Sequence, residues 1–84
     1  MAIKIGTPEW WKRETLCYGQ RFINELDEPD KWSAHVMANG DKFLHIYNES
    51  ECTTYLALSA PTYRDLFAAA QFAWNVHTMM ERGF

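Results

Sequence analysis

Two kinds of apolar spacing alternate along the chain and predict its secondary structure. Between residues 8 and 26, apolar side chains recur every three or four positions, which is typical of an amphipathic helix. Thr7 can cap this helix, Pro8 suits the first helical position, and Glu9 meets the positive end of the helix dipole. The helix must end before Pro29, because the residue preceding a proline avoids the α region.

Residues 32–58 show the short runs and turns of a three-stranded antiparallel meander. A two-residue turn at Asn39-Gly40 is expected for the first hairpin, and a second turn is expected near Glu49. That register directs one set of side chains to the core: Trp32, Ala34, Val36, Phe43, His45, Tyr47, Cys52, Thr54, Leu56 and Leu58. The opposite face, with Leu44, Ile46 and Tyr55 at its middle, is then left for solvent, a partner or the N-terminal arm.

A second helix is predicted over residues 62–82, with Gly83 as its stop signal. It is apolar over most of its circumference, which indicates burial on more than one side. Phe72 and Met79 fall outside its main stripe, so a homodimer through this helix is one expectation. The predicted fold is α+β: helix, three-stranded antiparallel sheet, helix, with both helices on one face of the sheet.

The length of 84 residues bounds the chain to a single domain over 1–84, in which residues 1–6 form an arm or a short strand. Eight basic residues against eleven acidic ones give a net charge of −3, which argues against direct binding to nucleic acid. We find no membrane-spanning pattern and no signal-peptide pattern, so we expect a cytoplasmic protein with no membrane contact. Cys17 and Cys52 have no zinc or redox spacing and are expected to be free thiols.

No enzyme, metal or cofactor is predicted. The expected register puts His35 and His45 on opposite faces of the sheet, and zinc needs several converging ligands. Cys52 and His45 share a predicted face, but their spacing is too loose for a nucleophile and its base. The carboxylates lie in turns, where water keeps them ionised, so an acid–base pair is not expected either.

Acidic residues concentrate at two places that an up-down-up sheet brings to the same end. The first cluster precedes the first strand and the second lies in the turn between the second and third strands: Glu25, Asp27, Glu28 and Asp30, then Glu49 and Glu51. Such a negative edge can simply keep the sheet soluble. It can also address a basic groove on a protein partner, because carboxylates can take the place of phosphates there. Trp10 and the face with Leu44, Ile46 and Tyr55 are the candidate apolar anchors.

The order helix, three strands, helix over residues 8–82 resembles the double-stranded-RNA-binding domain. That resemblance implies binding to A-form RNA by shape. The family's final helix opens with a lysine-rich phosphate-binding motif, whereas residues 60–65 here offer Arg64 and Asp65. The Asn39-Gly40 turn is also much shorter than the family's loop. The resemblance therefore extends to topology, and no functional residue is carried over from it.

In size, acidic charge and lack of catalytic motifs, the whole chain also resembles small inhibitors encoded by phages and mobile elements, such as the anti-CRISPR proteins. That resemblance implies binding to a host defence complex, in some cases within its nucleic-acid channel. The resulting hypothesis is a non-catalytic inhibitor that occludes a basic, nucleic-acid-handling site on a protein partner. The alternative is a degenerate double-stranded-RNA-binding-type domain that forms homodimers as a structural or adaptor module.

Overall fold

A computed structural model of the protein describes residues 2–81, and the structural statements below refer to that range. The elements are α1 (Pro8–Asn24), a short 3-10 turn (Pro29–Lys31), β1 (Ser33–Asn39), β2 (Asp41–Asn48), β3 (Thr53–Ala60) and α2 (Tyr63–Glu81). This order confirms the predicted α+β class. The predicted end of the second helix, at residues 82–83, lies outside the described residues. Residues 2–6 form a turn and no strand.

Helix α1 begins where its capping residues predict. Thr7 is extended and its hydroxyl accepts a hydrogen bond from the backbone N–H of Trp10 at 3.3 Å. The same hydroxyl donates to the carbonyl of Lys4 at 2.8 Å, which ties the N-terminal turn to the helix. The helix ends at Asn24, two residues earlier than predicted, and Glu25 is its C-cap. A difference of two residues is within the usual variation of helix ends.

The sheet has the strand order β1-β2-β3, and both neighbouring pairs are antiparallel. The predicted register of the first hairpin is wrong by one residue. Asn39 pairs with Asp41, so Gly40 alone turns the chain, with φ at +78°. A residue without a Cβ adopts that backbone conformation at little cost.

The one-residue shift reverses the predicted faces of β2, because side chains alternate along a strand. Leu44 and Ile46 are completely buried, whereas His45 and Tyr47 lie on the opposite side and are half-buried. Leu44 and Ile46 therefore offer no surface to a partner, and that part of the predicted binding face is corrected. Two aliphatic side chains on one face of the central strand make a better core than an imidazole and a phenol.

The second hairpin also differs from the predicted register. Tyr47 pairs with Thr54 and Ile46 with Leu56, which leaves Tyr55 as an extra residue in a β-bulge. Cys52 precedes β3 and is exposed in the turn, with φ at +54°, so its predicted place in the core is wrong.

Both helices pack on the Leu44 side of the sheet, which closes the core from one face. Leu44, Leu66 and Ala70 are buried together, and Phe22 and Ile23 are buried with Ile46. Aromatic contacts join the helices at successive levels, from Trp11–Phe67 to Phe22–Trp74, with ring centroids 5.0 and 5.1 Å apart. The first contact lies near the start of both helices and the second lies further along both, so the helices run in the same direction.

Neither helix within residues 2–81 combines the length and the apolar composition that crossing a bilayer would need.

Candidate functional site

One end of the molecule collects most of its carboxylates. The strand pairing places the segment before β1 and the turn after β2 at the same end of the sheet, as the sequence predicts. The parallel helices add the C-terminal part of α2, where Glu81 lies 3.5 Å from His77. We call this region the acidic end; its carboxylates are Glu25, Asp27, Glu28, Asp30, Glu49, Glu51 and Glu81. Near these seven carboxylates along the chain, the sequence offers two basic residues, Lys31 and Arg82.

Both helices point their negative ends at this region. Glu25 is the C-cap of α1, and Glu81 lies in the last described turn of α2. The unsatisfied carbonyls of a helix C-terminus carry a partial negative charge, which favours cations nearby and disfavours carboxylates. Tyr55, near the start of β3, packs on Phe22 in the last turn of α1, with ring centroids 6.1 Å apart. The helix ends and the sheet end thus form one surface.

The carboxylates at the acidic end differ in their internal contacts. Glu25 meets His77 at 3.0 Å, and Glu28 forms an exposed ion pair with Lys31 at 3.3 Å. Glu51 accepts a long hydrogen bond, 3.4 Å, from the Asn48 side chain. Within the part of the chain that is described, the side chains of the remaining three form no hydrogen bond or ion pair: Asp27, Asp30 and Glu49. Those three carboxylates are exposed and free to meet an external charge.

Asn48 fixes the turn that carries Glu49 and Glu51. Its side chain is buried, and its carbonyl oxygen accepts hydrogen bonds from the hydroxyl of Ser50 at 2.8 Å and the backbone N–H of Glu51 at 3.2 Å. The backbone N–H of Cys52 closes the turn on the carbonyl of Glu49. The carboxylates of this turn are therefore held on an ordered backbone.

The open face of the sheet carries two histidines beside a tyrosine. His35 and His45 are directly paired across β1 and β2, so the prediction that they point to opposite faces is wrong. His45 stacks on Tyr47 at 4.9 Å between ring centroids and shares a hydrogen bond with Thr54 at 2.9 Å. The Tyr47 hydroxyl shares a hydrogen bond with His35 at 3.2 Å. A shallow depression of about 280 Å³ joins this group to Glu49 in the acidic end.

The remaining predicted anchors are partly covered by the protein itself. Trp10 is half-buried, with its ring edge against Trp11 at 4.7 Å. Tyr55 retains 39% of its surface although it contacts Phe22 and Trp32. Tyr55 is therefore the predicted apolar anchor that the fold leaves most available at the acidic end.

A larger apolar surface lies on the outside of α2 and extends to the acidic end. Its exposed side chains follow the spacing of one helical stripe: Phe72, Val76, Met79 and Met80. Phe72 and Met80 are the most open, at 71% and 74%. The sequence singles out Phe72 and Met79 as outside the core stripe, and their exposure confirms that part of the prediction. We call these four side chains the α2 stripe.

The opposite end of the molecule is basic and aromatic. The helices begin there, and a groove of about 480 Å³ is lined by residues of both starts and of β2. Lys42 lies over the ring of Tyr63 at 5.4 Å and Arg64 over the ring of Trp11 at 6.0 Å. These cations engage the protein's own aromatic rings.

Comparison with protein-family models, with curated proteins and with solved structures finds no match for this chain. Its function must therefore be argued from its own residues.

Proposed function

We propose that the protein is a non-catalytic binding domain whose acidic end docks on a basic, phosphate-binding surface of a protein partner. An inhibitor that occludes a nucleic-acid-handling site, as in anti-CRISPR-like proteins, is the form of this function that fits the chain best. The observation that carries the proposal is the convergence of seven carboxylates on one end, from chain segments around 25–30, 49–51 and 81.

The placement of these carboxylates works against the stability of the isolated protein. Glu25 is the C-cap of α1, where a negative charge costs about 0.3–1 kcal/mol at low salt. Like charges crowded at one end also repel one another. Asp27, Asp30 and Glu49 add to this repulsion without a compensating hydrogen bond or ion pair in the described structure, and such features are expected at functional sites. A basic partner surface would turn the same repulsion into attraction.

The acidic end also has the composition of a specific interface. A protein interface combines an apolar centre with a polar rim. Met79, Met80 and Tyr55 are exposed apolar side chains beside the carboxylates. Methionine adapts its shape to irregular surfaces, and tyrosine is enriched among the residues that dominate binding energy. These side chains supply the apolar contacts that the buried Leu44 and Ile46 do not.

The test is a pulldown from nuclease-treated bacterial lysate with three forms of the protein. The first is the natural chain. The second is Asp27→Lys with Glu49→Lys, two exposed carboxylates whose side chains form no hydrogen bond or ion pair in the described structure. The matched control is Glu9→Lys with Asp41→Lys, which changes the net charge equally at the opposite end.

We expect a stoichiometric partner that the natural chain and the control retain and that the Asp27/Glu49 variant loses. Binding should also be lost at high salt, because screening weakens charge pairs. The purified partner should then exchange this protein for its nucleic acid in a competition assay. A folded Asp27/Glu49 variant that keeps the partner would refute the proposal, and so would simultaneous binding of protein and nucleic acid.

Self-association through the α2 stripe is the second candidate function. Exposed apolar patches on a soluble domain mark interaction surfaces, and two copies related by a two-fold axis could bury this stripe against itself. No charged residue occurs between Leu66 and Met80, so the stripe offers no charge to orient a foreign partner. In this form the protein would be a homodimeric structural or adaptor module.

Light scattering of the natural chain and of Phe72→Glu separates the two candidates. A dimer at micromolar concentration that Phe72→Glu converts to a monomer would support the second function. Lys4→Glu, at an exposed position outside the stripe, serves as the control for the added negative charge. A natural chain that is monomeric throughout would remove the dimer and leave the acidic end as the site of function.

A further inference from the structure

Three metal-ligating side chains meet where the two helices end. The Nε2 atom of His77 lies 3.0 Å from Oε2 of Glu25 and 3.5 Å from Oε1 of Glu81. One ligand atom from each residue can be chosen so that all three lie within 4.8 Å of one another. His77 and Glu81 are four residues apart on one face of α2, and Glu25 comes from the end of α1.

Two of the three separations are close to those in the coordination sphere of a small cation. Zinc binds imidazole nitrogen and carboxylate oxygen at about 2.0–2.2 Å with tetrahedral angles, which places neighbouring ligand atoms about 3.3–3.5 Å apart. The two separations from His77 Nε2, 3.0 and 3.5 Å, lie near that range. All three ligand atoms lie within 4.8 Å of one another, so small changes in the side-chain torsion angles of the two glutamates would bring them onto one ion.

Hydrogen bonding alone leaves this arrangement incomplete. The Nε2 atom of an imidazole carries at most one hydrogen, so it can donate well to one of the two carboxylates that approach it. The His77 ring is packed against Phe22 and Trp74, with centroids 5.4 and 5.7 Å away, and this packing directs Nε2 towards the carboxylates. A cation at their centre would serve all three atoms at once.

The electrostatic surroundings favour the same occupant. The C-terminal end of α1 contributes partial negative charge beside the cluster, which attracts cations. Asp27 and Glu28 follow Glu25 closely along the chain, so carboxylates outnumber the two basic residues near this place in the sequence, Lys31 and Arg82. Nitrogen with carboxylate oxygen is a ligand set that suits divalent transition metals better than magnesium or calcium, which prefer oxygen alone.

We infer that Glu25, His77 and Glu81 form a binding site for a divalent transition-metal ion, Zn²⁺ foremost, with water completing the coordination sphere. The ion would join the end of α1 to the end of α2 and so stabilise the helix pair. Glu25 and Glu81 also belong to the acidic end, but Asp27 and Glu49, whose substitution tests the docking proposal, contribute no ligand to the metal site. Different variants therefore test the two proposals.

The test uses the purified full chain without an affinity tag, because a histidine tag would bind the same metals. Zinc is titrated by calorimetry, and cobalt is titrated by its visible absorption, which reports nitrogen and oxygen coordination. Glu25→Gln and Glu81→Gln remove one ligand each and keep the His77 packing intact. His45→Ala is the matched control, because His45 is a half-buried histidine hydrogen-bonded elsewhere.

We expect one zinc ion per chain, and a loss of affinity of about ten-fold or more in each Gln variant. Zinc should also raise the melting temperature of the natural chain and of His45→Ala, because a ligand that binds only the folded state stabilises it. Absence of saturable zinc binding would overturn the inference. Unchanged affinity in both Gln variants would overturn it too, as would equally tight binding of magnesium, which would indicate a diffuse acidic surface. If zinc binds and partner capture fails, the metal site stands while the docking proposal falls.

Discussion

Gly19 of α1 lies so close to Ala34 of β1 that a Cβ atom added to Gly19 would be 3.0 Å from the Cβ of Ala34. The same added atom would be 3.4 Å from Cδ1 of Leu44. The Ala34 Cβ is attached directly to the backbone and cannot rotate away. The absence of a side chain at position 19 therefore sets the distance between the first helix and the sheet.

Gly19→Ala is expected to lower the free energy of unfolding by about 1 kcal/mol. Alanine in a helix interior gains about 0.5–1 kcal/mol over glycine, but overpacking a tight contact costs about 1–3 kcal/mol. Urea denaturation measures the difference. Cys17→Ala, at an exposed position of the same helix, should stay within about 0.5 kcal/mol of the natural chain. A Gly19→Ala protein more stable than the natural one would show that α1 can move away from the sheet freely.

Leu44→Ala should lower the free energy of unfolding by about 2–5 kcal/mol, because it empties a fully buried position next to Leu66 and Ala70. His45→Ala should cost less than about 1 kcal/mol, since it removes a stacked pair on the open face. Chemical denaturation of the two variants compares neighbouring residues of one strand. A larger loss of stability in His45→Ala than in Leu44→Ala would contradict the observed register and support the one with a two-residue turn.

Asn48→Ala should lower the free energy of unfolding by about 1–3 kcal/mol. It removes a buried acceptor and leaves the Ser50 hydroxyl and the Glu51 backbone N–H without their partner. Hydrogen exchange should report faster exchange at the Glu51 amide. Ser50→Ala removes one of the same hydrogen bonds and should have a smaller effect. Equal stability of Asn48→Ala and the natural chain would show that water replaces the Asn48 side chain in the turn.

The natural chain should become more stable as salt is raised from about 20 to about 300 mM, because screening relieves the repulsion at the acidic end. The effect should be modest, since every carboxylate there is exposed to solvent. Asp27→Lys with Glu49→Lys should show a weaker dependence on salt, and Glu9→Lys with Asp41→Lys should keep the natural one. Thermal unfolding at the two salt concentrations measures this. A natural chain that loses stability over the same range would contradict the crowding of like charges.

Local signals in the sequence were sufficient to predict the elements but not the sheet register. Thr7 and Pro8 start α1, and Thr62 caps α2 by accepting a hydrogen bond from the backbone N–H of Asp65 at 3.1 Å. These signals act within one helical turn, so the helix starts follow from them directly. The register of β1 and β2 depends on the turn at Gly40, where one residue more or less exchanges the faces. Of the two possible registers, the observed one buries Leu44 and Ile46 against the two helices. That packing is a property of the whole fold and cannot be read from the turn alone.

The acidic end was partly accessible from the sequence for the same reason. The order of the strands alone brings the segment of Glu25 and the turn of Glu49 to one end. The contribution of His77 and Glu81 requires the two helices to run in the same direction. The topology sets that direction. Helix α1 ends at the acidic end, and three antiparallel strands then carry the chain back to the end where α1 begins. Helix α2 starts there and therefore runs in the same direction as α1. The convergence on His77 still depends on side-chain packing that the sequence pattern does not contain.

The uneven distribution of charge gives the molecule an electric dipole moment, a property that its net charge of −3 does not describe. Carboxylates and helix C-termini define one pole, and Lys42, Arg64 and the helix N-termini lie towards the other. In an external field such a molecule rotates before it makes contact, so its encounters are oriented during diffusion. An anion-exchange resin should therefore retain this protein more strongly than a protein of the same net charge whose charged residues are evenly distributed. Its rate of association with a positively charged surface is set by that rotation as well as by collision.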